Sequence, residues 1–284
     1  HQGDYLMPLL HYLKDTDLNQ LNSDQDLLYF NLPFGQFITY PFSWITPMLV
    51  LAFILFFIVV GFGIFKRQLN IKAIFKGFGP YFLSLIVGGL LVFGLWKFCL
   101  FIYPEYPEML HGFTYNGYSY ITAAILLSLT VAFFVYHKFY SEEYTASQFV
   151  APLFFWILIC ALLAIGLKGA AYFIIPAYFG ITQLFLMLRQ KQPNLILNTI
   201  LSLPALFILF PFIQMFPVAL GLKILFVAAI LSILLFTLFL PVFGYFSKKN
   251  TLAVFLFLGF NITMFYAHFT SEFTSEKPKP NSLV

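Results

Sequence analysis

Acidic residues are missing from every long apolar stretch of this chain. Eight such stretches lie between Phe42 and Phe269, and no Asp or Glu falls inside any of them. Charged residues of all kinds make up 9% of the sequence, against roughly 25% in ordinary globular proteins. With hydrophobic residues at 61%, that scarcity excludes a water-soluble domain. Motifs of soluble chemistry are missing too: there is no H-E-x-x-H, no Gly-x-Ser-x-Gly elbow, no P-loop, no C-x-x-C and no intramembrane Asp pair. The two cysteines, Cys99 and Cys160, lie far apart and read as free apolar packing residues.

The apolar stretches themselves are long enough to cross a bilayer as helices, which takes about 20 residues for roughly 30 Å of hydrocarbon. Leu, Ile and Phe outweigh Val and Thr, so helices fit better than an alternating barrel pattern. The expected fold is all-α, a polytopic transmembrane helical bundle of about eight spans. These are placed at residues 42–65, 78–102, 118–136, 149–167, 170–188, 195–212, 218–239 and 252–269. The weakest division falls at 211–217, where two spans meet with almost no polar punctuation, so seven or nine remain open.

Charge placement favours eight. The connections after spans one, three, five and seven hold nine basic residues: Lys66, Arg67, Lys72, Lys76, Lys138, Arg189, Lys191, Lys248 and Lys249, with only Glu142 and Glu143 beside them. The other side holds nine acids, among them Asp4, Glu105, Glu108, Glu272 and Glu276. By the positive-inside rule the basic side is cytoplasmic and both termini face the non-cytoplasmic side. The net charge of +4 therefore implies anionic lipid headgroups, not nucleic acid. The first 26 residues are polar, with neither a basic n-region nor an h-region. A chain that starts outside without an export signal is expected to be part of a longer polypeptide.

No ionisable group sits at the centre of a span. Lys97, at the outer end of span two, reads as an interfacial lysine whose stem snorkels to the headgroups. His1, His11, His111, His137 and His268 show no ligand spacing, and interfacial roles suit them better than a zinc site built with Asp4. Ser84, Ser128, Thr130, Thr182, Ser202, Ser232, Thr237, Asn261 and Thr263 are expected to hydrogen-bond between helices. Gln183 and Asn198, near the cytoplasmic ends of spans five and six, are expected to meet across their hairpin as a polar interhelical contact. Gly61, Gly63, Gly88, Gly89 and Gly94 mark faces where helices approach closely. Aromatic residues, 21% of the chain, cluster at span ends as interfacial belts.

Residues 1–41 are a polar segment with a short helical piece at 5–13, acidic turns, and then Leu28-Tyr29-Phe30-Asn31 and Tyr40-Pro41 before the first span. Residues 42–269 form the membrane domain, and 270–284 an extended tail that leads toward a strand. His1-Gln2-Gly3-Asp4 with Leu9-Leu10 resembles the closing helix of an aminopeptidase-like zinc metallopeptidase. The Leu28–Asn31 run and Tyr40-Pro41 resemble that family's membrane-tethered branch, which includes endoplasmic-reticulum metallopeptidases and vacuolar membrane proteases. The resemblance implies an upstream peptidase domain holding two zinc ions, eight or nine spans, and a small soluble β domain downstream. No residue here matches the family's metal-binding or general-base motifs, so no catalytic or metal residue is assigned and the segment needs no cofactor of its own. The expected partners are the lipid bilayer and those flanking domains, and the expected membrane is a bacterial inner membrane, with an endomembrane as alternative. A stand-alone carrier of a neutral or lipid-like solute, or a membrane scaffold, is the competing reading.

Overall fold

Unbroken apolar sequence gives helices wherever nothing competes with the backbone ladder, and most of this chain is helical. The computed structural model describes residues 2–14, 17, 25–31, 37–190 and 192–279. His1, Asp15, Asp24, the Leu32–Gly35 stretch, Lys191 and the end of the tail from Pro280 lie outside the described residues. The elements are α1 (Gln2–Lys14), a hairpin of β1 (Leu27–Asn31) and β2 (Phe37–Pro41), then α2 (Ile45–Phe65), α3 (Ile71–Ile102) and α4 (Gly117–Phe139). They continue with α5 (Thr145–Gly166), α6 (Ile175–Arg189), α7 (Leu195–Leu220), α8 (Leu225–Leu238), α9 (Leu240–Phe243) and α10 (Lys249–Phe269). Among the described residues, seven helices are long and apolar enough to cross a membrane: α2 to α7 and α10. The protein therefore has the composition and architecture of an integral membrane protein.

The seventh expected span differs from its expected form. It was placed at 218–239 after a division at 211–217, yet α7 runs unbroken through Pro204, Pro211 and Pro217 and stops at Gly221. Each internal proline removes one ladder bond, a loss that helices packed in a bundle tolerate. Gly221 ends the helix because its φ of 84° and ψ of 163° cannot continue it. A 3₁₀ turn over Leu222–Ile224 leads into α8, which stops at Phe239, and α9 restarts with Pro241 in its first turn, where a missing N–H costs little. Gly221 lies against Gly112 and the His111 carbonyl in the α3–α4 connection, and Gly244, just after α9, lies against Tyr140 in the α4–α5 connection. The run 222–243 thus spans the whole height of the bundle in three pieces.

Those pieces are also its centre. α8 packs on α3, α4, α5 and α7. Ala228, Ala229 and Ser232 present a narrow face that lets neighbouring backbones approach, and Ile233 and Phe236 fill the space between helices. Among the glycines expected at close contacts, Gly88 and Gly89 face Ile233 and Ile230, and Gly63 abuts Leu69 and Leu188. Gly61 and Gly94 face open space instead.

One end of the bundle carries the α2–α3, α4–α5, α6–α7 and α9–α10 connections, with Lys66, Arg67, Lys138, Arg189 and Lys248 in or beside them (the basic end); the other carries the α3–α4 connection with Glu105 and Glu108 (the acidic end). α3 has 32 residues, about 48 Å at 1.5 Å each, so it outruns a roughly 30 Å hydrocarbon layer. Its extra turns, starting at the Asn70 cap whose side chain accepts from the Ala73 N–H, carry Lys72 and Lys76 at the basic end. At the acidic end lies an element absent from the sequence expectations. β1 and β2 pair antiparallel, Leu28 opposite Tyr40 and Phe30 opposite Ile38. Leu28 and Phe30 turn inward with Ile45 and Ala171, and the Phe30 ring stacks on Tyr172 at 5.0 Å. Among the described residues of the tail there is no strand; Thr274 and Lys277 close a turn through their backbones.

Candidate functional site

The two residues singled out for an interhelical contact do meet, although not side chain to side chain. Gln183 on α6 donates from Nε2 to the Asn198 carbonyl at 2.9 Å and to Ser202 Oγ at 3.2 Å. Asn198 on α7 sends Nδ2 the other way, to the Pro241 carbonyl in α9 at 3.0 Å. Ser202 Oγ donates back to the Asn198 carbonyl. All three side chains are buried. The chain of bonds ties α6, α7 and α9 together beside the α8–α9 break.

The other polar residues of the spans depart from expectation. Ser128, Thr130, Thr182, Ser232, Asn261 and Thr263 each donate to the carbonyl four residues earlier in their own helix, and Thr237 to the one three earlier. A short side chain reaches its own preceding turn more readily than a neighbouring helix. Ser84 Oγ is buried with no partner among the described residues.

Lys97 lies exposed near the end of α3 with Nζ 5.6 Å from the Phe93 ring centre. Cys99 and Cys160 are free and buried, in different apolar clusters. Among the described residues no three His, Cys, Asp or Glu side chains converge as a metal site. His268 instead shares a bond of 2.7 Å between Nδ1 and the Tyr103 hydroxyl.

Comparison of the chain with protein-family models, curated proteins and solved structures gives no match. The site must therefore be read from its own chemistry.

Two clusters escaped the sequence reading. The first is Lys249, which charge counting treats as one more basic loop residue. Its side chain is 6% exposed, with Nζ donating to the Gly244 carbonyl at 2.7 Å and the Phe246 carbonyl at 2.6 Å. Glu142 stands 3.5 Å away and the Tyr140 ring 5.4 Å. The ammonium thus caps the end of α9 and ties it to α10 and the α4–α5 connection. Burial pushes the Tyr140 hydroxyl well above its ordinary pKa. The Gly244–Asn250 sequence gives no sign that Lys249, rather than Lys248, turns inward.

The second cluster closes the acidic end. Asn116 Nδ2 donates to the Ala267 carbonyl at 2.8 Å and to the Tyr106 hydroxyl at 3.3 Å, and Thr114 Oγ1 donates to Asn116 Oδ1. Trp96 stacks on Tyr106, and Tyr120 meets both edge-on. Burial outweighs these hydrogen bonds and raises the Tyr106 pKa. Beside it a cleft of about 420 Å³ holds Tyr103, Glu105, His268 and Glu272. The tail crosses this end: Tyr115 donates to the Pro278 carbonyl at 2.9 Å, and Lys279 ion-pairs with Glu108. The aromatic belt read from the sequence signalled rings at this end, but not their hydrogen bonds.

Proposed function

We propose that the chain is the membrane domain of an aminopeptidase-like zinc metallopeptidase, and that it anchors and orients a peptidase domain on the non-cytoplasmic side. The observation that carries this reading is the β1–β2 hairpin. The Leu28–Asn31 run on which the resemblance rests is an ordered strand, seated through Leu28 and Phe30 on the bundle. A tether that bends back and packs this way fixes the direction of whatever precedes it, where a swinging linker could not. The tail is tied to the same end through Tyr115 and Lys279, so both flanking segments leave from one platform. In this reading all eight apolar runs cross the membrane, with 222–243 as the broken one.

The polar network also supports anchoring over solute transport. A neutral solute needs free donors and acceptors, whereas Gln183, Asn198 and Ser202 are engaged with one another and with Pro241. The deciding experiment is the intact mass and zinc content of the native gene product purified from membranes. A product well above 32.7 kDa with about two zinc ions is expected. A zinc-free product at that mass refutes the proposal and makes transport the leading reading.

A further inference from the structure

At the basic end, α3, α4 and the α4–α5 connection enclose an open cavity of about 1030 Å³. Three ammonium groups line it: Lys72 and Lys76 from the first turns of α3, and Lys138 from the last turn of α4. Asn70, Ser141 and Gln148 add neutral polar groups. No acid lines the cavity, and among the described residues no carboxylate pairs with these lysines. Glu142, in the same connection, is turned to Lys249. Two helices begin at its rim, α3 at Ile71 and α5 at Thr145, against one that ends there, α4 at Phe139, so the dipole ends add net positive potential to that of the lysines.

A second cavity, of about 670 Å³, runs on from the first between α3, α4 and α10. Its wall is almost wholly apolar, with Val87, Leu91 and Val131 on one side and Val254 and Phe257 on the other. Leu83, Lys138 and Phe139 line both cavities, so the basic chamber opens directly into the groove.

We propose that this composite cavity binds an anionic phospholipid, with its phosphate held by Lys72, Lys76 and Lys138 and an acyl chain in the groove between α3, α4 and α10. A basic pocket between helices at the membrane surface suits an anionic headgroup. The apolar continuation distinguishes a lipid from free phosphate, which would use only the chamber. The inference goes beyond the anchoring function and needs only that the bundle spans a bilayer.

The test is native mass spectrometry of the full chain in detergent micelles, titrated with dioleoylphosphatidylglycerol, dioleoylphosphatidylcholine or inorganic phosphate. Discrete phosphatidylglycerol adducts are expected, with phosphatidylcholine binding much weaker. Charge near a membrane surface contributes roughly fivefold per lysine. The Lys72→Gln/Lys76→Gln/Lys138→Gln variant should therefore bind phosphatidylglycerol about 100-fold more weakly. Arg189→Gln/Lys248→Gln, which removes two exposed charges from elsewhere on the same end, should bind as the wild type does. Val254→Trp keeps every lysine but fills the groove; it should weaken the dioleoyl lipid while leaving a short-chain phosphatidylglycerol bound. Equal binding of the two dioleoyl lipids, or an unchanged affinity in the triple variant, overturns the proposal. So does inorganic phosphate competing as strongly as the lipid, because the ligand is then a free anion.

Discussion

Substituting Gly221 by alanine tests how the last third of the bundle is built. Gly221 occupies φ 84°, ψ 163°, a region open essentially to glycine alone, and other residues there cost of order 1–3 kcal/mol. Geometry adds a second penalty, because a Cβ on Gly221 would sit 2.5 Å from the His111 backbone oxygen. That contact is to main chain, so relief requires moving the α3–α4 connection away. Such a shift loosens the bond from the Leu222 N–H to the Gly112 carbonyl at 2.8 Å, worth about 1 kcal/mol. Together the expected loss is about 3 kcal/mol, or roughly 6–12 °C in melting temperature for a chain of this size. Gly112 provides the control. Its φ is also positive, at 67°, but a Cβ there meets nothing closer than 3.8 Å. Gly112→Ala should therefore cost only the left-handed backbone penalty, about 1–2 kcal/mol. Intrinsic tryptophan fluorescence during heating in micelles, read from Trp44, Trp96 and Trp156, measures both. A Gly221→Ala melting point within 2 °C of wild type, or a greater loss for Gly112→Ala, refutes the reasoning.

Three further outcomes can be checked. Lys249→Met removes two charge-assisted bonds to carbonyls and should cost about 2–4 kcal/mol, whereas Lys248→Met, on the exposed neighbour, should stay within about 0.5 kcal/mol; equal effects in chemical unfolding would contradict the inward lysine. In a double-mutant cycle Gln183→Leu and Ser202→Ala should couple by about 0.5–3 kcal/mol, because Gln183 Nε2 donates to Ser202 Oγ; strict additivity would sink that geometry. Hydrogen bonding to Glu108 raises the Lys279 pKa above 10.5, so its hold on the tail is complete below that pH and fades as pH rises through the raised value. A fluorophore on Ser275→Cys should keep its anisotropy up to pH 10.5 and lose it only above, with no such transition when Lys279→Met is added; an earlier fall would count against the ion pair.

The long helices were legible because apolar runs free of acids admit few alternatives, and the structure places seven of them. Four features were not. The division at 211–217 was misplaced, since an apolar run carries no polar mark of where its helix stops; the true stop, Gly221, is set by its backbone conformation and its close approach to Gly112. Short polar side chains misled because a sequence lists donors without saying which carbonyl lies nearer, and most chose their own helix. The Gln183–Asn198 meeting was legible as a short hairpin with polar residues near its closed end. The inward turn of Lys249 was not, because nothing in Lys248-Lys249 distinguishes one ammonium from the next. The hairpin carries a strand alternation in Leu27–Asn31, which the search for spans passed over.

α10 is held differently from the other helices. It packs chiefly on α4, and only Lys249, Ala253 and Ala267 along its length are buried. Lys249 fastens one end, and Asn116, through the Ala267 carbonyl, fastens the other. It is also made after the other helices of the bundle. When it emerges, α4 and both fastening points are already synthesised, so it can join as a latch closing on a finished frame. Chains truncated before residue 249 should keep the α3–α8 packing yet expose the α4 face to lipid, which makes docking of α10 the step at which cellular quality control would sort closed bundles from open ones.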